Sequence, residues 1–228
     1  MLNKGLLIGA ALATAAYALP AQAAVVELSN SELNSCGGLS CTIDGVTLTP
    51  TGGLLATKTV NGATALGVSG GAAGNEIDYG QAITFDFGPV TAQVQSFRVY
   101  FIYNGPEFND LNEVAIVIGD LLGSLTQESL TVIGENIGSW TDAGGVVTNC
   151  GDTTVSGTGC FDVTNPFGDA QFDTLKFTAG LRLTSGGSGY DYSIGNLTIN
   201  TVPEPAALGL LGLGLAGLGV AAARRRQK

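Results

Sequence analysis

Apolar and polar residues alternate with a period of two along much of this chain. Ile83, Phe85 and Phe87 are separated by Thr84 and Asp86, and Phe97, Val99, Phe101 and Tyr103 have Arg98 and Tyr100 between them. Leu175 and Phe177 flank Lys176, and Tyr190, Tyr192 and Ile194 repeat the pattern near residue 190. Side chains two apart share one face of a strand, so each stretch predicts a strand with one face in a core. Further strands are expected at Val25–Ser29, Thr42–Leu48, Val114–Gly119, Leu130–Ile133, Val146–Thr148 and Leu197–Thr201. No stretch carries a sustained helical period with caps. Gly52-Gly53, Asn61-Gly62, Gly70-Gly71, Gly144-Gly145 and Gly186-Gly187 punctuate the strands, as turns that need positive φ require. The fold class expected is all-β: an antiparallel β-sandwich, jelly-roll-like, spanning residues 24–200 as one domain.

Two apolar runs depart from this alternation. At the start, Lys4 precedes a run from Leu6 to Leu19, then Pro20 and the small-residue step Ala21-Gln22-Ala23. This is the pattern of a signal peptide over residues 1–23, cut after Ala23 by signal peptidase once the secretion machinery has engaged it. At the end, Ala206 to Ala223 is uncharged and is followed by Arg224, Arg225, Arg226, Gln227 and Lys228. Eighteen helical residues reach ~27 Å, close to a hydrocarbon core of ~30 Å. A single C-terminal transmembrane helix over 206–223 is therefore expected. The cations hold its end in the cytoplasm, and residues before Val202 lie outside.

Charge sharpens the picture. The chain carries nine basic and nineteen acidic residues, a formal net charge of −10. Setting aside Lys4, the four tail cations and Glu204 leaves four basic and eighteen acidic residues between Ala24 and Val202, a balance of −14. Such a field repels phosphate backbones and excludes nucleic acid as a partner. Four cysteines, Cys36, Cys41, Cys150 and Cys160, stand in an exported chain. Three pairings are possible. The local ones, Cys36 with Cys41 and Cys150 with Cys160, are favoured over zinc binding because each pair brackets a Gly-containing loop and no histidine is present.

The absence of histidine also rules out Ser-His-Asp and Cys-His nucleophilic schemes. Paired carboxylates are too numerous to point to a glycosidase, so no catalytic residue is assigned and no enzyme activity is expected. Hard oxygen donors are concentrated in Glu107, Asn109, Asp110, Asn112 and Glu113, with Glu76 and Asp78 as a smaller group. A structural calcium, held by Glu107, Asn109, Asp110 and Glu113, is the candidate cofactor. Sugar binding needs an exposed aromatic face. Trp140, between Gly138 and Gly144-Gly145, is the first candidate, with Tyr100, Tyr103, Tyr190 and Tyr192 behind it.

Val202, Pro203, Glu204 and Pro205, the Gly/Leu/Ala run and the terminal arginines follow one another in an order that resembles the PEP-CTERM sorting signal. The resemblance implies a Gram-negative bacterium and processing by a membrane-embedded exosortase near Pro203-Glu204-Pro205. It also implies placement at the cell surface or in an extracellular matrix, often alongside exopolysaccharide. Two prolines fix the backbone around Glu204 in extended geometry, which suits a protease-like cleft. More weakly, Ala65-Leu66-Gly67-Val68, Asn75-Glu76-Ile77-Asp78, Ile83–Phe87, Asn165–Asp169 and Asp191-Tyr192-Ser193 resemble β-sandwich domains that precede this tail. The resulting expectation is a transiently anchored, structural or adhesive surface protein, with a lectin-like exopolysaccharide-binding module as the alternative.

Overall fold

The structure, a computed structural model, describes residues 23–105, 112–142, 144–154, 156–180 and 190–202. They lie within one compact unit, Gln22–Glu204. The expected signal peptide, transmembrane helix and basic tail fall outside the described residues.

Two antiparallel sheets form the domain. The first contains β1 (Ala24–Leu28), β4 (Leu55–Val60), β5 (Ala63–Val68), β7 (Thr91–Tyr100), β11 (Val146–Gly151), β12 (Cys160–Thr164), β13 (Gln171–Phe172) and β15 (Ser193–Val202). Its main path runs β11-β12-β7-β15-β5-β4, with β1 paired to β15 and β13 to β7. The second contains β2 (Cys41–Ile43), β3 (Val46–Thr51), β6 (Ala82–Asp86), β8 (Val114–Leu121), β9 (Ser124–Gly134), β10 (Ile137–Trp140) and β14 (Thr174–Ala179), in the order β10-β9-β8-β14-β6-β3-β2.

The alternation read from sequence places the core. Phe85, Phe97, Val99, Leu175, Phe177, Tyr192 and Ile194 are all fully buried. Rings from both sheets meet edge to face: Phe97 lies 5.2 Å from Phe177 and 5.5 Å from Trp140, and Phe85 lies 5.5 Å from Phe177. Phe167 continues the chain of contacts, 6.0 Å from Trp140 and 4.9 Å from Phe172. Edge-to-face geometry suits the ring quadrupole and adds about 1 kcal/mol per pair to the area buried. Tyr192 tethers the layers further, its phenol donating to the carbonyls of Thr178 at 3.1 Å and Ile116 at 3.3 Å.

Several expectations are corrected. β7 ends at Tyr100, because Phe101 adopts a left-handed backbone (φ 62°) that turns the chain and buries both Phe101 and Ile102. Tyr103 therefore leaves the strand. Thr42–Leu48 is a hairpin rather than one strand, turning at Asp44-Gly45, where both residues have positive φ. A helix is present after all: α1 (Asn30–Leu33) is a single turn with Ser29 as N-cap. Glu32 completes a capping box from the third position, and this Ser-x-x-Glu signal is visible in the sequence. The strand expected at Leu197–Thr201 is longer at both ends: β15 runs from Ser193 through Val202, past the domain edge expected at residue 200, with Thr201 and Val202 paired to Ala92 and Thr91.

Both disulfides are the local ones. Cys36–Cys41 closes the loop between α1 and β2, and Cys150–Cys160 joins the neighbouring strands β11 and β12.

Candidate functional site

The sorting residues begin at the end of β15. This strand lies inside the first sheet, bonded to β7 along its length and flanked on the other side by β5 and then β1. Its last residue, Val202, pairs with Thr91, whose hydroxyl donates to the Val202 carbonyl at 3.3 Å and to Gln171 at 2.9 Å. One residue earlier, Thr201 pairs with Ala24 and donates its hydroxyl to the Ala24 carbonyl at 3.0 Å. Thr201 is thus held on both flanks of its strand, and Val202 on the β7 side alone. Pro203, Glu204, Pro205, Arg224, Arg225 and Arg226 lie outside the described residues.

A second constellation gathers on the segment after β5. Gly67 has no side chain, and a Cβ there would sit 2.2 Å from the Asn75 carbonyl, so this glycine lets residues 72–77 lie against the sheet. Asn75 donates its side-chain amide to the Thr57 carbonyl at 3.0 Å, and Ile77 N–H donates to the Tyr192 carbonyl at 2.7 Å. This docking carries Glu76 inside, where 2% of it is exposed. Lys58, reaching from β4, meets the Glu76 carboxylate at 2.7 Å and donates to the Ala73 carbonyl at 2.9 Å. Asp191, just before β15, is buried beside them at 6% exposure.

One ammonium cannot neutralise every carboxyl in this space. Burial pushes the Asp191 carboxyl up to about 9, and the negative Glu76 and Asp78 add to the effect. Burial also raises Glu76, but the Lys58 ion pair pulls it back. The stable arrangement is an ionised Glu76 on Lys58 beside a protonated Asp191. Tyr103 belongs to the same environment, its phenol raised first by burial and then by Glu76, Glu113 and Asp191.

Asp78 serves a different purpose. Its carboxylate accepts from Ala73 N–H at 2.9 Å and packs against Gly71, closing its own loop. Its N–H donates to Gln81, whose amide bonds the carbonyls of Ser69 and Gly52. A cavity of about 220 Å³ opens here, lined by Gly52, Gly70, Gly71, Asp78, Tyr79 and Gln81. It is smaller than the ~300–1,000 Å³ typical of ligand pockets, and the polar groups of Asp78 and Gln81 are already engaged in holding the loop.

The expected calcium ligands are not assembled among the described residues. Glu107, Asn109 and Asp110 lie outside them, and Glu113 accepts a hydrogen bond from Tyr103 N–H. Glu76 and Asp78, adjacent in sequence, serve the separate partners just described. Among the described residues no three His, Cys, Asp or Glu side chains are grouped to hold a metal.

Trp140 is corrected as a sugar platform. It is 8% exposed, packed among Phe97 and Phe167, with its indole N–H donating to the Pro166 carbonyl at 2.7 Å. Gly145 is what admits it: a Cβ there would fall 2.3 Å from the indole ring. The glycines that suggested an exposed turn instead make room for a buried ring. Of the other aromatic candidates, Tyr192 is core, and Tyr190 lies half-buried against Gly180. Tyr100 lies over Gly195 beside Arg98, which binds Asp162 of the neighbouring strand through two hydrogen bonds of 2.6 and 2.7 Å.

Residues 201–226 match the family profile described as the PEP-CTERM protein-sorting motif. No curated protein and no solved structure matches the chain.

Proposed function

The chain carries the PEP-CTERM protein-sorting motif, and from this we propose that it is a non-catalytic surface protein with a structural or adhesive role in an extracellular matrix. The motif itself indicates exosortase-dependent sorting of an exported protein to the cell envelope or surface. The observation that carries the finer reading is the direct run of β15 into the motif. Val202, already within the matched residues 201–226, is still laddered to Thr91, so the folded domain extends into the motif itself.

The second sheet supports the same role. Thr47, Thr49 and Thr51 of β3 share its outer face with Thr84 of β6 and Thr174 and Thr178 of β14, following the register of the strands. Thr42 of β2 adds to this face and shares a 3.2 Å hydrogen bond with Thr47. Such a hydroxyl-rich plane offers extended, weakly specific contact with polar polymers. The lectin-like alternative loses its main anchor, because Trp140 lies in the core.

The test compares the full chain with a chain ending at Val202, each carrying an epitope tag in a loop, in a host that has an exosortase. Surface labelling should fall at least tenfold for the truncated chain, and cells displaying the full chain should adhere to one another more. Equal surface labelling would defeat the sorting reading. Release of sugars from matrix polysaccharide by the purified domain would replace the structural role with a degradative one.

A further inference from the structure

Lys58, Glu76 and Asp191 come from three separate stretches of chain: strand β4, the segment docked over Gly67, and the residues just before β15. Glu76 joins the other two. Its carboxylate meets the Lys58 ammonium at 2.7 Å and shares a hydrogen bond with the Asp191 carboxyl. An amine, a proton carrier and an acyl group are thus linked side by side.

The state of each group fits one reaction. A lysine amine attacks a carbonyl carbon only when it is neutral. A carboxyl group accepts that attack only when protonated, because a carboxylate repels the nucleophile and lacks a leaving group. Burial meets both conditions. Asp191, 6% exposed, keeps its proton, and Glu76, 2% exposed, lies at contact distance to take one from Lys58. Away from water, the neutral pair costs less relative to the ion pair than it does in solution. Asp78 is set apart from this chemistry, since its carboxylate is held by Ala73 N–H within its own loop.

We propose that the side chains of Lys58 and Asp191 become joined by an amide bond, which the folded chain forms by itself with Glu76 carrying the protons. Lys58 first passes a proton to Glu76, and its Nζ then forms a bond to Cγ of Asp191. Glu76 gives that proton to the Asp191 hydroxyl, which leaves as water when the Cγ–O bond breaks. In its place Glu76 takes the second proton from Nζ. The ion pair and the acid end as a neutral amide, a protonated Glu76 and one water, with nothing oxidised or reduced. The Lys58 side chain is 28% exposed, so this side of the site gives the water a way out. Ser193, two residues beyond Asp191, is fully buried, and its hydroxyl finds no hydrogen-bond partner among the described residues. It is a donor not yet committed when charge builds on the Asp191 oxygen.

The bond ties β4 to the start of β15 across β5, which ladders to both. β15 is the strand that continues into the sorting motif, so the cross-link secures the domain at the strand bearing its tail. A covalent closure of so long a loop also narrows the unfolded ensemble, as a disulfide does. Asp191 titrates only in chains that have not reacted, and its proton marks the precursor.

The test takes the full chain from an exporting host, digests it with trypsin and reads the peptides by mass. A branched peptide should join the segment holding Lys58 to the segment holding Asp191, lighter than their sum by one water, with no cleavage after Lys58. Lys58→Arg keeps the cation beside Glu76 but should yield no branched peptide. Glu76→Gln, read in the fraction with native Trp140 emission, should lower the yield at least tenfold. Cleavage after Lys58 throughout the unsubstituted chain would overturn the proposal, even if a water is lost elsewhere, as in a succinimide at Asp44-Gly45. An undiminished yield in folded Glu76→Gln would overturn it as well, since the proton carrier would then be dispensable.

Discussion

Asp191 carries a proton because of where the fold puts it. Its carboxyl sits near 3.8 in an unfolded chain and is raised to about 9 when buried beside Glu76. Between those values the folded protein binds a proton that the unfolded chain has released. Stability from this group is therefore complete below about pH 4 and declines as pH rises, until it is lost above about 9. The melting temperature should descend between about pH 5 and pH 9, and Asp191→Asn, which keeps the shape but cannot ionise, should flatten that descent. A slope unchanged in the variant would show that the proton resides elsewhere. Glu76 and Asp78 can be read from the sequence as calcium candidates, but Asp191 and the sharing of one buried space cannot. Lys58 comes from a different strand, and only the docking over Gly67 makes it the counter-ion of Glu76. Trp140 shows the same limit. Flanking glycines signal either an exposed turn or space for a large ring, and local sequence does not separate the two.

At the scale of elements, alternation was a good guide wherever one face of a strand is buried. β6, β14 and the second half of β7 are legible in this way, β8 is legible as a short apolar run, and the two disulfides are favoured by cysteine spacing. What escaped depends on backbone rotation at single residues. Phe101 at φ 62° ends a strand that periodicity would continue, and the capped turn α1 is too short to show a helical period. Close approach between elements is equally hidden. Gly119 in β8 lies under the Phe172 ring, where a Cβ would fall 2.3 Å from the ring. Gly119→Ala should cost about 1–3 kcal/mol, measured by urea denaturation, and a neutral result would mean that β13 can shift away without loss.

For the whole molecule, the two sheets are joined through Phe97, which touches Trp140 of β10 and Phe177 of β14 from β7. Phe97→Ala should cost about 3–5 kcal/mol. Because the chain has a single tryptophan, its emission should shift to the red as Trp140 loses its packing. An unshifted spectrum with full stability would show that the layers hold together without this contact. By itself, the sequence determined the class of fold and the sorting address, and it favoured the cysteine pairing that the structure shows. These are written in short-range patterns: a period of two, a spacing of five or ten residues, and a tail whose parts are contiguous. Only the tertiary structure decided that Glu76, Lys58 and Asp191 share one buried space, that Trp140 is core, and that Ala24 lies beside Thr201. Those relations join residues far apart along the chain, and they are fixed by strand register and by which glycines let one segment lie against another, neither of which a local pattern records.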